Sequence, residues 1–136
     1  MRLRSALVAL LAGGLLTGCG VKAADLFIVE RTGSTPGARL TLLVSEEGDV
    51  TCNGGPMRKL SDSQLVQARA IQEELAAAAG EHRVLPARPG SVLAYRVREE
   101  AGSVSFADDS PGQSAAMHQL ALFVLQTAQR VCHLSE

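Results

Sequence analysis

The chain has 136 residues, with 13 Lys+Arg against 14 Asp+Glu, no Trp, one Tyr and three Phe. That length suits one ordinary domain with its own core. The near-even charge balance leaves no electrostatic footprint for nucleic acid or for an anionic membrane surface, and so few aromatics leave little for bases or sugars to stack on. The core must therefore be mostly aliphatic.

The first 18 residues divide into a basic start, MRLR, an apolar stretch from Ala6 to Leu16, and the small-residue site LTGC. The apolar stretch, about 11 residues, is too short for a hydrocarbon core that needs about 20, so it reads as a signal peptide and not as a span. Leu16, Thr17 and Gly18 lead directly into Cys19. That sequence resembles the bacterial lipobox, in which a lipoprotein signal peptidase cuts just before the cysteine. The resemblance implies a Cys19 that carries diacylglycerol on sulfur and an acylated amine, such as a palmitoyl amide. Two or three acyl chains anchor stably where one is marginal. The expected organisation is a signal peptide over residues 1–18, a lipidated N-terminus and tether over 19–24, and a single domain over 25–134. Loss of Arg2 and Arg4 would leave 11 basic against 14 acidic side chains, a mature charge near −3. Gly20 to Ala24 spans about 17 Å when extended, which holds the domain close to the membrane. The expected location is the outer leaflet of a bacterial cytoplasmic membrane, or an outer membrane where the cell has one. Gly20 in place of the aspartate associated with inner-membrane retention favours the latter.

The first apolar run, DLFIVE from Asp25 to Glu30, predicts a strand buried on both faces, and TGSTPG from Thr32 to Gly37 a turn. ARLTLLVSEEGDVTC predicts a hairpin in which Leu40, Leu42 and Val44 share a face and Glu46 to Asp49 turn the chain, with NGGP closing that section. In LSDSQLVQARAIQEELAAAAG, Ser61 and Gln64 fit a capping box, Leu60 and Leu65 a hydrophobic staple, and Gly80 a stop. Leu65, Ala68, Ile71, Leu75 and Ala78 recur at helical spacing, which leaves Arg69, Gln72 and Glu73 for solvent. EHRVLPARPG carries no periodicity and reads as a connection. A second hairpin follows, with Leu93, Tyr95 and Val97 opposite Val104 and Phe106 on the core face and a turn near Ala101 and Gly102. SPGQ, with Ser110 as cap and Pro111 in the first helical position, predicts the start of a last helix that carries Met117, Leu120, Val124, Ala128 and Val131 on one face. This order, strand, hairpin, helix, hairpin, helix, predicts an α+β two-layer sandwich: an antiparallel sheet with two helices on one face.

With Cys19 lipidated, Cys52 and Cys132 are the two remaining thiols. In an oxidising compartment a structural disulfide is the expected state, over free thiols or a redox or metal site, because no Cys-x-x-Cys is present and His133 beside Cys132 lacks further ligands at a usable spacing. No cofactor or metal is implied. His82, His118 and His133 are dispersed, the serines fall at turns and caps, and Gly33 and Gly37 are not followed by the lysine and helix of a phosphate loop. The acidic pairs Glu46/Glu47, Glu99/Glu100 and Asp108/Asp109 fall at turns, where the last could hold a cation weakly. These features predict a protein without catalytic activity.

The run IVERTGSTPGARLTLLV, the helix opening LSDSQL, and the hairpin LAYRVREEAGSVSF before a final helix resemble the emfourin-type protease inhibitors over most of Asp25 to Arg130. The resemblance implies an α+β domain that binds thermolysin-like metallopeptidases. It assigns no inhibitory residue, because the EEGDVTCNGG return strand, the cysteine pair and the anchor depart from that pattern. The exposed loop of Arg31, Thr32, Gly33, Ser34, Thr35, Pro36 and Gly37 is the first surface for a partner. The expected function is thus a non-catalytic envelope lipoprotein that binds a protein or ligand at the membrane. A metallopeptidase inhibitor and a structural envelope component are the alternatives.

Overall fold

The computed structural model describes residues 24–135, so the expected signal peptide, Cys19 and most of the tether lie outside the described residues. The elements are β1 (Asp25–Gly33), β2 (Leu40–Ser45), β3 (Asp49–Cys52), β4 (Arg58–Lys59), α1 (Asp62–Gly80), β5 (Leu93–Glu99), β6 (Gly102–Ala107) and α2 (Ala115–Arg130). The strands form one antiparallel sheet in the order β4-β3-β2-β1-β5-β6. Both helices cover the same face of that sheet, which is the expected α+β two-layer sandwich.

The register explains which side chains enter the core. Val29 is paired with Leu42 on one side and Val97 on the other, and cross-strand partners share a face. Phe27, Val29, Leu40, Leu42, Val44, Val50, Val97, Val104 and Phe106 accordingly lie buried beneath Ala68, Ile71 and Leu75 of α1 and Met117, Leu120 and Val124 of α2. Phe27 meets Phe123 of α2 edge to face, with centroids 6.0 Å apart, and Tyr95 stacks on Phe106 at 5.1 Å. Such pairs add about 0.5 to 1.5 kcal/mol beyond their burial.

Strand β1 departs from the expectation in two ways. It continues to Gly33, and it is not buried on both faces: Ile28 and Glu30 are only half-buried, because helices cover one face and the other is open. Leu26 and Phe27 are both buried because the pairing with β2 shifts between Asp25 and Phe27. On the open face Arg98 pairs with Glu30 at 3.2 Å.

Helix α1 begins where its local signals put it. Ser61 Oγ accepts from the Gln64 N–H at 3.2 Å, and Gln64 Oε1 accepts from the Ser61 N–H at 2.9 Å, a complete capping box. Gly80 is the last helical residue, while the left-handed conformation after it falls on His82 at φ 51°. Gln72 does not face only solvent. Its Nε2 donates to Glu99 across on β5.

Helix α2 starts four residues later than SPGQ suggests. Ser110 Oγ accepts from the Ala107 N–H at 2.8 Å, and Gln113 Nε2 donates to the carbonyls of Ala107, Asp108 and Ser110, so these two side chains brace a turn. Gly112 at φ 79° then breaks any helical path. Ser114 is the true cap, accepting from the Met117 N–H. The connection after α1 also has structure: Arg83 O accepts from the Ser105 N–H and the Leu85 N–H donates to Ser105 O, which closes the free edge of β6.

Candidate functional site

The loop between β1 and β2 is the region singled out as a partner surface, and the structure divides it. Thr32 and Gly33 belong to β1, not to the loop, and Ser34 to Gly37 form the exposed turn. Arg31 is not an exposed loop residue. It is 3% exposed, on the core face of β1 opposite Leu40 and Tyr95. Its Nε donates to Ala38 O at 2.9 Å and its Nη2 to Gly37 O at 3.2 Å, so the guanidinium grips the turn from beneath. Burying a charged group costs several kcal/mol unless its donors are used, and two of them go to loop carbonyls.

Two glycines make this grip possible. A Cβ on Gly33 would stand 2.4 Å from Val92 O, which the Ser34 N–H meets at 3.2 Å, and Gly37 adopts φ 78°. The Ala38 N–H closes the turn on Thr35 O at 3.2 Å. Beneath it Arg31, Thr35, Pro36, Gly37, Ala38 and Leu93 line a mostly apolar depression of about 440 Å³. The arrangement is a short, pre-shaped protrusion beside an apolar hollow, suited to contact with a protein chain.

The disulfide lies toward the β4 edge of the sheet. Cys52 and Cys132 form a disulfide with a Cα–Cα separation of 6.2 Å, which ties the end of β3 to the residues just after α2. The expected pairing is the one in the structure.

The remaining candidates separate. His82, His118 and His133 are all exposed and lie on three different segments. Asp108 and Asp109 do not form an open cation site. Asp108 Oδ1 accepts from Ser91 Oγ at 2.8 Å and from the Val92 N–H, and Asp109 Oδ1 accepts from the Arg88 N–H at 3.1 Å. Burial would push the Asp108 carboxyl upward, but its bonds from Ser91, Val92, Leu93 and Asp109 outweigh this and hold it below the ordinary aspartate value. Among the described residues no group of three or more His, Cys, Asp or Glu is arranged to hold a metal.

Comparison with family models, curated proteins and solved structures returns no match. The likeness to emfourin-type inhibitors therefore stands on the sequence pattern alone.

A second concavity escaped sequence reading. Arg58 and Lys59 of β4, Ser61 and Gln64 at the start of α1, and Arg130 and His133 at the end of α2 line a polar cleft of about 580 Å³. The sequence held one usable signal, the adjacent pair Arg58-Lys59, but nothing local joins it to residues some 70 positions away.

Proposed function

We propose that this protein is a non-catalytic envelope lipoprotein, anchored through Cys19, whose α+β domain binds a partner at the membrane surface. The observation that carries the reading is LTGC behind a short apolar run, followed by a domain whose first strand already begins at Asp25. So short a tether keeps the domain within about 20 Å of the anchor. Support for binding over catalysis comes from how the polar groups are used: the Ser61, Ser110 and Ser114 hydroxyls all serve backbone groups. Intact-mass measurement of the mature protein tests the anchor. A cysteine N-terminus carrying acyl chains is expected, with Cys19→Ala moving the protein out of the membrane fraction. An unmodified N-terminus, or unchanged membrane association of the variant, overturns the reading.

One observation favours inhibition of a thermolysin-like metallopeptidase as the form this binding takes. The Ser34–Gly37 turn is exposed yet fixed from below by Arg31, and a protrusion that is already rigid loses little entropy on docking. Inhibition of a panel of such enzymes should be seen with the purified protein and weaken at least about tenfold in Thr35→Ala/Pro36→Ala. No inhibition by the parent protein removes the idea.

A further inference from the structure

We propose that the cleft between β4 and the two helices binds a compact dianion, and specifically a phosphate monoester group. It is lined by Arg58, Lys59, Ser61, Gln64, Arg130 and His133, with no described carboxylate among its walls. Three cations from two separate elements, Arg58 and Lys59 of β4 and Arg130 of α2, line it in a chain whose overall charge is slightly negative. Lys59 is already paired with Asp49 at 2.7 Å, whereas neither Arg58 nor Arg130 has an ion pair among the described residues. Two uncompensated guanidinium groups match a dianion, and their planar forks suit oxygen pairs.

The cations are held in place by the fold. Arg58 sits on β4 opposite Val50, and the disulfide at Cys132 fixes the chain between Arg130 and His133 against β3. His133 takes φ 55°, a left-handed conformation in which the Leu134 N–H bonds back to Ala128 O at 2.9 Å. Leu134 then packs on the core and His133 is left exposed at the cleft. The first turn of α1 is capped by its own Ser61 and Gln64, so the site's charge comes from side chains.

The surroundings choose the size of the anion. Exposed Glu47 and Asp62 and half-buried Asp49 neighbour the cations in sequence or in space. A broad anionic surface would meet these carboxylates together with the arginines. A single small group entering the cleft meets the cations alone.

This inference rests on the reading of the domain as a binder but not on its lipidation, so it can fail while the anchor stands. The test is titration of the full chain, purified in neutral detergent, with inorganic phosphate, methyl phosphate and the diester headgroup glycerophosphoglycerol, followed by NMR or calorimetry. Saturable, salt-weakened binding of phosphate and methyl phosphate is expected, at least about tenfold tighter than the diester. Arg58→Gln/Arg130→Gln should weaken it at least about tenfold and Arg58→Gln alone at least about threefold. Arg96→Gln, on the open face of the sheet, should leave it unchanged, with the circular dichroism spectrum of each variant as the check on folding. No saturable binding of phosphate in the parent, undiminished binding in the folded variants, or equal binding of the diester overturns the proposal, the last by assigning the cleft to a lipid headgroup.

Discussion

The two edges of the sheet are closed by different chemistry. At one edge β4 contributes only Arg58 and Lys59, and closure is covalent: Cys52 on β3 is bonded to Cys132 beyond α2. At the other edge Arg83 and Leu85 bond to Ser105 of β6, and Asp108 and Asp109 hold the connecting segment through its Ser91, Val92 and Arg88 groups. A disulfide acts mainly on the unfolded chain and is indifferent to pH in the acid range, while carboxylate bonds act on the folded chain and fail on protonation. The difference separates a redox-sensitive edge from an acid-sensitive one.

The largest effect should come from the covalent edge. The bridge closes a loop with a sequence separation of 80. Chain entropy then gives about 4 to 5 kcal/mol, and native disulfides in practice contribute about 2 to 5. Cys52→Ala/Cys132→Ala should lower unfolding stability by that amount in urea titration. A loss under about 1 kcal/mol would show that core packing, not the bridge, holds α2 against the sheet. The second effect belongs to the polar edge. Asp108→Ala should cost about 0.5 to 1 kcal/mol at neutral pH, because the Val92 N–H and Ser91 hydroxyl lose a charged acceptor that water replaces only in part. Its cost should vanish in acid. The parent Asp108 is held below its ordinary value of 3.8, so its contribution is present above that pH and lost as pH falls through the lower folded value.

These edges were unequally legible in the sequence. α1 could be read because Ser61, Gln64 and the apolar recurrence from Ala68 to Ala78 are signals within one turn or one face. The β5–β6 hairpin could be read for the same reason, since Tyr95, Val97, Val104 and Phe106 alternate with polar residues. β4 could not, because two polar residues form a strand here only through pairing with Asp49 and Val50, which is decided in tertiary structure. The burial of Arg31 was equally hidden: two of its bonds go to the backbone carbonyls of Gly37 and Ala38, and carbonyls leave no trace in residue identity. At SPGQ the right residue types stood in the right spacing, but Ser110 and Gln113 turned toward the end of β6 and served its orphan groups first. Of the candidate site, the exposed turn was legible from Gly and Pro. The basic cleft was not, since it is assembled from two distant segments, residues 58–64 and 130–133.

The smallest effect sharpens the comparison within one hairpin. Glu99 lies at the end of β5, at the opposite end of the β5–β6 hairpin from Asp108, and its environment works the other way. Burial pushes its carboxyl above the ordinary value of 4.5, the bond from Gln72 opposes this, and Glu100 adds to the rise. Glu99 Oε1 is buried without a hydrogen-bond partner. A carboxyl raised on folding binds its proton more tightly in the folded chain, so its ionised form costs stability above the folded value, and that cost is relieved as pH falls toward 4.5. Glu99→Gln removes the charge while leaving an oxygen for Gln72 to bond. It should raise the urea midpoint at neutral pH and converge with the parent as pH approaches 4.5, whereas Asp108→Ala converges only below 3.8. Parallel pH profiles for the parent and Glu99→Gln would mean that Gln72 compensates the buried charge in full, and acid would then act on the Asp108 end of the hairpin alone.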